Sequence, residues 1–159
     1  MTGKTHIVGG IATTVTVAHF TDYHSITFVA AGVLGAIIPD ICHSGSKIGR
    51  KLPLLSKFIQ TLFGHRTFTH SLLFLCLIGY LLTYITSNQA VILGGLWGIA
   101  SHLLLDAGTK NGIKLLFPLD LTVRLPITIK TGGQVENLIL LGLIIIIIYF
   151  AQDIVYYYL

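Results

Sequence analysis

The residues best suited to chemistry include a histidine and an aspartate at the end of an apolar segment, in Ser101–Asp106. His102 and Asp106 are four residues apart, so on a helix their side chains share one face. One imidazole nitrogen and one carboxylate oxygen on a single face are ligands that zinc accepts. An interhelical polar contact would explain the pair equally well when it is taken alone. Ionisable residues within membrane segments are functional by default, however, which favours a site.

A second group ends another apolar segment, in Pro39-Asp40-Ile41-Cys42-His43. The Asp-x-x-His spacing places Asp40 and His43 on one face if a helix continues through them. Otherwise the two side chains extend from an adjoining loop. Ordinary turn chemistry is the alternative, because Pro-Asp commonly opens a turn.

A third group precedes an apolar segment, in Gly64-His65-Arg66-Thr67-Phe68-Thr69-His70-Ser71. Thr69 can cap the helix that follows, and a helix N-terminus favours anions. The planar guanidinium of Arg66 can grip a phosphate in two places. The pattern predicts a phosphate beside a metal ion. A histidine and arginine cluster that contacts lipid head groups is the alternative.

Two further residues become site candidates only when the membrane topology is considered. His6 begins the first apolar segment and Glu136 precedes the last, so alternate membrane crossings would bring both to the face that holds the other groups. Glu136 could otherwise serve only to favour the helix dipole. His19 and His24 fall at the opposite face and are excluded. The predicted set comprises eight residues: His6, Asp40, His43, His65, His70, His102, Asp106 and Glu136.

Composition indicates whether these segments lie in water or in a membrane. The chain has 159 residues, of which 53% are hydrophobic and 10% are charged, whereas a soluble domain is about 25% charged. We therefore predict an integral membrane protein. The length allows one domain over residues 1–159, and no Gly/Ser-rich linker divides it.

Five apolar segments are expected to form the membrane helices of an all-α bundle, although the first is short for a span of about 20 residues. Two long connections, Ile41–Thr69 and Ala107–Asn137, separate some of them. The predicted segments are about His6 to Phe20, Ser25 to Pro39, His70 to Thr86, Ala90 to Asp106, and Leu138 to Tyr156.

The basic residues predict the orientation. All ten Lys and Arg residues lie in the N-terminus and the two long connections, and none lies in the short turns or the C-terminus. The positive-inside rule then places the N-terminus and both long connections in the cytoplasm and the C-terminus outside, in a multi-pass inner (plasma) membrane protein. The eight predicted site residues would lie at the cytoplasmic face.

The combined pattern resembles a known family. It comprises His6, Pro39-Asp40-Ile41-x-His43, His65-Arg66-x-x-Thr69-His70-Ser71, Ser101-His102-x-x-x-Asp106 and Gly133-x-x-Glu136. These motifs resemble the bacterial membrane-bound metal-dependent hydrolases of the YdjM type, some of which are described as LexA-regulated. The resemblance covers roughly residues 5 to 137 and implies a divalent-metal site and hydrolytic activity. The family is also thought to be distantly similar to zinc-dependent phospholipase C and P1 nuclease.

One position departs from the family pattern. The family usually reads Pro-Asp-Ile-Asp-His, whereas this chain has Cys42 in place of the second aspartate. A cysteine thiolate can bind zinc but discourages magnesium, which prefers oxygen ligands. The replacement could instead weaken one of two metal sites.

These observations predict metal-assisted hydrolysis of a phosphoester, with one or two divalent ions, zinc being preferred. The expected ligands are His6, Asp40, His43, His70, His102 and Asp106. His65, Arg66 and Glu136 are expected to assist, as ligands, supporting partners, the general base or, for Arg66, the phosphate-binding cation.

The partners and the alternative functions follow from the same pattern. Basic residues in the first long connection would attract anionic head groups, so a membrane lipid phosphate is a better candidate substrate than nucleic acid. A metal or proton transporter or a metal sensor would use the same ligands without hydrolysis. It would need a polar path across the membrane, of which Thr13, Thr14 and Thr16 are the only hint. A purely structural polar cluster is the third hypothesis.

Overall fold

The computed structural model describes residues 1–64 and 66–159, and within these ranges the regular structure is helical. The all-α prediction is confirmed for this part of the chain, where pairing between extended residues is limited to two isolated bridges, Thr109 with Ile129 and Ile113 with Val123. Two 3-10 turns, Ile38–Cys42 and Phe68–His70, carry predicted site residues. The α-helices are α1 Gly3–His19, α2 Ile26–Ile37, α3 Lys47–Lys51, α4 Pro53–Phe63, α5 Leu72–Ile85, α6 Gln89–Ala107, α7 Gln134–Phe150 and α8 Gln152–Tyr158.

Short polar side chains define where the apolar helices begin. The Ser71 hydroxyl accepts a hydrogen bond from the Phe74 amide at the start of α5. The Asn88 side chain accepts bonds from the Ala90 and Val91 amides at the start of α6. Such caps satisfy amides that have no partner within the helix. The segment predicted from His70 therefore begins its α-helix two residues later, and His70 belongs to the preceding turn.

Small residues let α1, α2 and α6 pack closely at the centre. Gly98 of α6 lies so near α2 that an added Cβ would be 2.0 Å from the carbonyl oxygen of Gly32. Gly35 lies equally close to α6, since its Cβ would be 2.1 Å from the Gly95 oxygen. Glycine-mediated backbone approach is typical of helix packing in membranes. The crossing brings the C-terminal end of α6 beside the end of α2, which is where the predicted ligands lie.

Two described helical stretches are long and apolar enough to cross a membrane by length and composition. They are Gln89–Ala107, over half of which is buried in the protein, and the stretch Gln134–Tyr158, which is exposed on the protein surface. Ile26–Cys42 and Leu72–Ile85 are shorter apolar helices, and α1 has 17 residues. Two of the five predicted segments thus reach spanning length.

The first long connection is more ordered than its basic composition indicates. It contains α3 and α4, and α4 packs against the 3-10 turn Ile38–Cys42. Stacked and edge-on rings join the end of α4 to both connections, because Phe68 contacts Phe63 at 4.7 Å and Phe117 at 5.8 Å between ring centroids. The connections therefore form a packed layer at the end of the bundle that holds the site.

Candidate metal centre

His102 presents one ring nitrogen to the centre of the site. The helical packing buries the side chain fully, and its Nδ1 lies 2.7 Å from the carbonyl oxygen of Ala36 on α2. A carbonyl can only accept, so Nδ1–H donates and, in the neutral ring, Nε2 carries the lone pair. Fixing one nitrogen on a backbone carbonyl is the usual way to orient a metal-binding histidine.

His70 faces the same point from the turn before α5. Its Nε2 lies 3.1 Å from Nε2 of His102 and 3.4 Å from Oδ2 of Asp106. Two nitrogens bound tetrahedrally at about 2.0–2.1 Å to one zinc ion would lie about 3.3 Å apart. The observed separation is therefore close to the one that a shared ion requires.

His6 and Asp40 complete the cluster from α1 and from the end of α2. The His6 ring stacks on His102, with centroids 3.7 Å apart, and its Nε2 lies 3.2 Å from Oδ1 of Asp106. Asp40 Oδ1 lies 3.8 Å from His102 Nε2 and 4.0 Å from His70 Nε2. Two groups, His6–Asp40–His102 and His70–His102–Asp106, have ligand atoms within 4.8 Å of one another. Five of the six predicted ligands thus converge.

The centre contains buried polar atoms that hydrogen bonding within the described residues leaves unsatisfied. Both ring nitrogens of His6 and Oδ2 of Asp106 make no hydrogen bond of good geometry among them, although His6 Nε2 and Asp106 Oδ2 each have an ion-pair contact at 3.2 Å. Burying such atoms without a partner is costly, and an ion can relieve that cost. Two imidazoles and a carboxylate are a donor set that zinc accepts. The residues present therefore fit a bound zinc ion.

Asp106 is also surrounded by cationic groups. The amino group of Met1 contacts Oδ1, and Nη2 of Arg66 lies 3.2 Å from Oδ2. Arg66 is held in turn by Thr109, whose hydroxyl accepts a 2.8 Å hydrogen bond from Nη1. These contacts balance the negative charge of the carboxylate and place the guanidinium at the edge of the centre.

Glu136 serves a different local purpose from the ligands. Its Oε1 accepts hydrogen bonds from the Thr2 amide at 2.6 Å and the Thr5 hydroxyl at 2.5 Å. Its Oε2 accepts one from the Gly132 amide at 2.6 Å. Both oxygens are thus engaged, and Glu136 belongs to neither ligand group. The geometry favours a positioning role in which Glu136 fastens the start of α1, and with it His6, to the start of α7.

Glu136→Gln should therefore lower stability. The new amide nitrogen would face an N–H donor, and hydrogen bonds to a charged acceptor are worth about 1.5–3 kcal/mol each. We expect a loss of about 1–3 kcal/mol in the free energy of unfolding, measured by denaturant titration in detergent. Asp153→Asn is the control, because that carboxylate has one partly exposed partner, His19. Equal losses in both variants would contradict the role.

The remaining residues considered in the sequence analysis lie outside the two ligand groups. His43 is exposed and belongs to neither ligand group, although it lines the adjoining cavity. His65 lies outside the described residues. Cys42 is buried and interacts electrostatically with His70, which connects the departure from the family pattern to a ligand. His19 and His24 are not members of either ligand group.

A cavity of about 700 Å³ opens beside His6 and Asp40. Its wall contains four cationic side chains and several apolar ones. The cations are Lys4, Lys47, Arg50 and Arg66, and the apolar residues include Ile7, Ile37 and Leu140. Such a wall suits an amphipathic anion, with its charged group near the cluster.

Comparison with known proteins identifies the family. The YdjM inner membrane protein family matches residues 1–158. The chain belongs to this family. Membership, together with the apolar helices, identifies it as a membrane protein. No solved structure matches the chain.

The relatives extend the match. The chain is 52% identical over 143 residues to uncharacterized protein YvsG of Bacillus subtilis, covering 90% of this chain and 89% of that protein. It is 38% identical over 127 residues to inner membrane protein YdjM of Escherichia coli and of Shigella flexneri. That alignment covers 74% of this chain and 63% of the relative, so the chain spans somewhat less than two thirds of the YdjM proteins.

Several residues that shape the site carry no signal that types and spacing could reveal. The carbonyl oxygen of Ala36 orients His102, and any residue could supply it. Thr109 holds Arg66 from 43 positions away along the chain. Thr5 is adjacent to His6, but only the fold shows that it contacts Glu136.

Proposed function

We propose that this protein is a zinc-dependent hydrolase that cleaves a phosphoester of a membrane lipid at the cytoplasmic face of the membrane. The observation that carries the proposal is the convergence of His6, Asp40, His70, His102 and Asp106 on one buried point. The ligands come from four separated parts of the chain, so chance proximity along the sequence does not explain the cluster.

The cluster supports a single ion more readily than two. His102 is common to both ligand groups, and its Nδ1 is already engaged by Ala36. Only Nε2 is therefore free to bind a metal. When bound, zinc lowers the pKa of a water ligand to supply a nucleophile and polarises a phosphoryl oxygen. Asp40 is partly exposed and lines the cavity, so among the ligands it would lie on the side from which a substrate approaches.

The cavity wall supports an anionic lipid as the substrate. Arg66 lies at the edge of the cluster, where its guanidinium can bind a phosphate oxygen while Thr109 holds it. Lys4, Lys47 and Arg50 supply further positive charge along the same wall. Ile7, Ile37 and Leu140 offer apolar contacts that suit an acyl or prenyl chain more than a sugar or a nucleobase.

Transport of a metal or proton is less well supported. It needs polar side chains that face a path through the membrane, and the sequence offers Thr13, Thr14 and Thr16 for that role. The Thr14 hydroxyl donates to the Gly10 carbonyl at 2.8 Å, and the Thr16 hydroxyl donates to the Ala12 carbonyl at 2.7 Å. Hydroxyls satisfied by their own helix do not need a water-filled path.

The proposal includes the five-span topology, with the N-terminus and both long connections in the cytoplasm. The ten basic residues all lie in those parts of the chain, which is the distribution that the positive-inside rule requires. α1, α2 and α5 are short for a span, but local thinning of the bilayer accommodates helices of that length.

The test of activity is a panel of lipid phosphoesters presented to the purified full chain in mixed micelles. We expect phosphate or head-group release from at least one lipid, its loss with a zinc chelator, and its recovery with added zinc. His102→Ala should abolish turnover, and His19→Ala, a histidine paired with Asp153 outside the cluster, should retain it. Turnover that is indifferent to chelator and to His102→Ala would overturn the proposal.

Cys42→Ala should weaken zinc binding without unfolding the protein. The Cys42 side chain is buried and interacts with the ligand His70, and the loss of such a supporting partner typically costs about 10–100-fold in metal affinity. Cys76→Ala is the matched control, because Cys76 is exposed on α5. Competition with a chromophoric chelator measures both affinities. Equal affinities would show that Cys42 does not support the site.

A further inference from the structure

The helix α4 carries a row of large apolar side chains that no described part of the protein covers. Leu54, Phe58 and Leu62 are spaced by four residues and therefore form one stripe along the helix. They are 86%, 60% and 58% exposed, respectively. Ser56, on the opposite side, is fully buried, and α4 packs there against the turn that carries Asp40. The apolar stripe thus points away from the protein body.

The charges around α4 indicate what lies against the stripe. Residues 41–64 contain four basic residues, Lys47, Arg50, Lys51 and Lys57, and no aspartate or glutamate. Lys51 and Lys57 are exposed. An apolar face bordered by cations is the pattern of a helix that lies in a membrane interface rich in anionic lipid. A second protein chain would not require this one-sided charge.

The segment that contains α3 and α4 is attached to the rest of the protein before α3 and after α4. Ser46 caps α3 and accepts a hydrogen bond from the Gly49 amide, while its own hydroxyl donates to the Asp40 carbonyl. At the other end, Phe63 stacks on Phe68 just before α5. The helix is therefore held as part of the same body as the apolar helices that follow it in the chain.

We infer that α4 lies in the plane of the membrane, with Leu54, Phe58 and Leu62 among the acyl chains and Lys51 and Lys57 against anionic phospholipid head groups. The helix then fixes the adjoining turn, and with it Asp40, at head-group depth. The inference depends on the chain being a membrane protein, which family membership establishes, and holds whether or not the cluster is hydrolytic.

Fluorescence quenching in lipid nanodiscs tests the depth of the stripe. The full chain carries Trp97→Phe and either Phe58→Trp or, as the matched control, Gln60→Trp at an exposed position of α4 that lies off the stripe. We expect acyl-chain bromine to remove most of the emission at position 58, with a maximum shifted to shorter wavelength, and to leave position 60 bright. Aqueous acrylamide should show the opposite order.

Two outcomes would overturn the inference. Equal quenching by acrylamide at positions 58 and 60, with little effect of bromine, would show that the stripe faces water. Shielding of position 58 from both quenchers would show that another copy of the chain covers it. Thermal midpoints like that of the Trp97→Phe parent show that each variant is folded.

The lipid charge is tested in the Phe58→Trp protein by placing bromine on one lipid of a phosphatidylglycerol and phosphatidylcholine mixture. Quenching should be stronger when the bromine is on phosphatidylglycerol at the same mole fraction. Lys51→Gln with Lys57→Gln should remove that difference. Equal quenching by the two lipids before these substitutions would overturn the assignment to anionic head groups.

Discussion

Asp106→Asn is expected to lower the zinc affinity of the protein at least about 100-fold, because even supporting partners of metal ligands are worth about 10–100-fold. The Asp106 carboxylate lies 3.2 Å from His6, 3.4 Å from His70 and 3.7 Å from His102. Its Oδ2 makes no hydrogen bond of good geometry within the described residues and faces Nε2 of His70 and of His102, while Nη2 of Arg66 approaches it from the other side at 3.2 Å. Asparagine keeps the size of the side chain but removes the negative charge that holds the cation.

The measurement is zinc bound per chain after dialysis against a buffered series of free zinc concentrations. Asp22→Asn makes the same substitution at an exposed aspartate and should bind zinc like the unmodified chain. Turnover on any lipid phosphoester that the enzyme hydrolyses should fall along with zinc occupancy. An Asp106→Asn protein that is folded and retains full zinc affinity would exclude this carboxylate as a ligand.

Gly98→Leu is expected to destabilise the protein by about 3 kcal/mol or more, at or above the upper end of the usual cost of overpacking a core. A Cβ at Gly98 would lie 2.0 Å from the Gly32 oxygen and 2.8 Å from the Ala36 amide nitrogen. These are backbone atoms, so neither can rotate away. Separating α2 from α6 would also remove the Ala36 carbonyl from His102, and zinc affinity should fall with stability.

Gly142→Leu provides the matched control on α7. A Cβ at Gly142 would meet no atom within 4 Å, so the same substitution should leave the thermal midpoint nearly unchanged. The thermal midpoints of both variants in one detergent, together with their zinc content, test the contact. If the Gly98 variant is as stable as the Gly142 variant, then close backbone packing does not hold the site together.

Much of the fold follows from apolar segments and their boundaries. The segment predicted over Ala90 to Asp106 corresponds to α6, and Asn88 marks its start with a cap. The basic residues of the first long connection indicate the membrane orientation but do not predict α4 within it. The spacing of Leu54, Phe58 and Leu62 was visible, but its exposure on one side depends on how Ser56 packs, which requires the fold.

The sequence predicts which residue types form the candidate site. It does not predict which of these side chains contact one another. Histidine and aspartate at the tips of apolar segments identify His6, Asp40, His70, His102 and Asp106 as a group. Spacing alone could not separate His43, which lies outside both ligand groups, from Asp40 in the same motif. It also could not show that Glu136 is engaged by Thr2, Thr5 and Gly132, because those contacts join opposite ends of the chain.

Anomalous diffraction at the zinc edge from crystals of the purified chain tests the central claim most directly. The account predicts one strong peak within about 2.0–2.2 Å of Nε2 of His102 and a carboxylate oxygen of Asp106, with His6, His70 or Asp40 completing the coordination. Crystals grown with zinc that show no peak at these residues, or show zinc only at surface histidines such as His19, would contradict it.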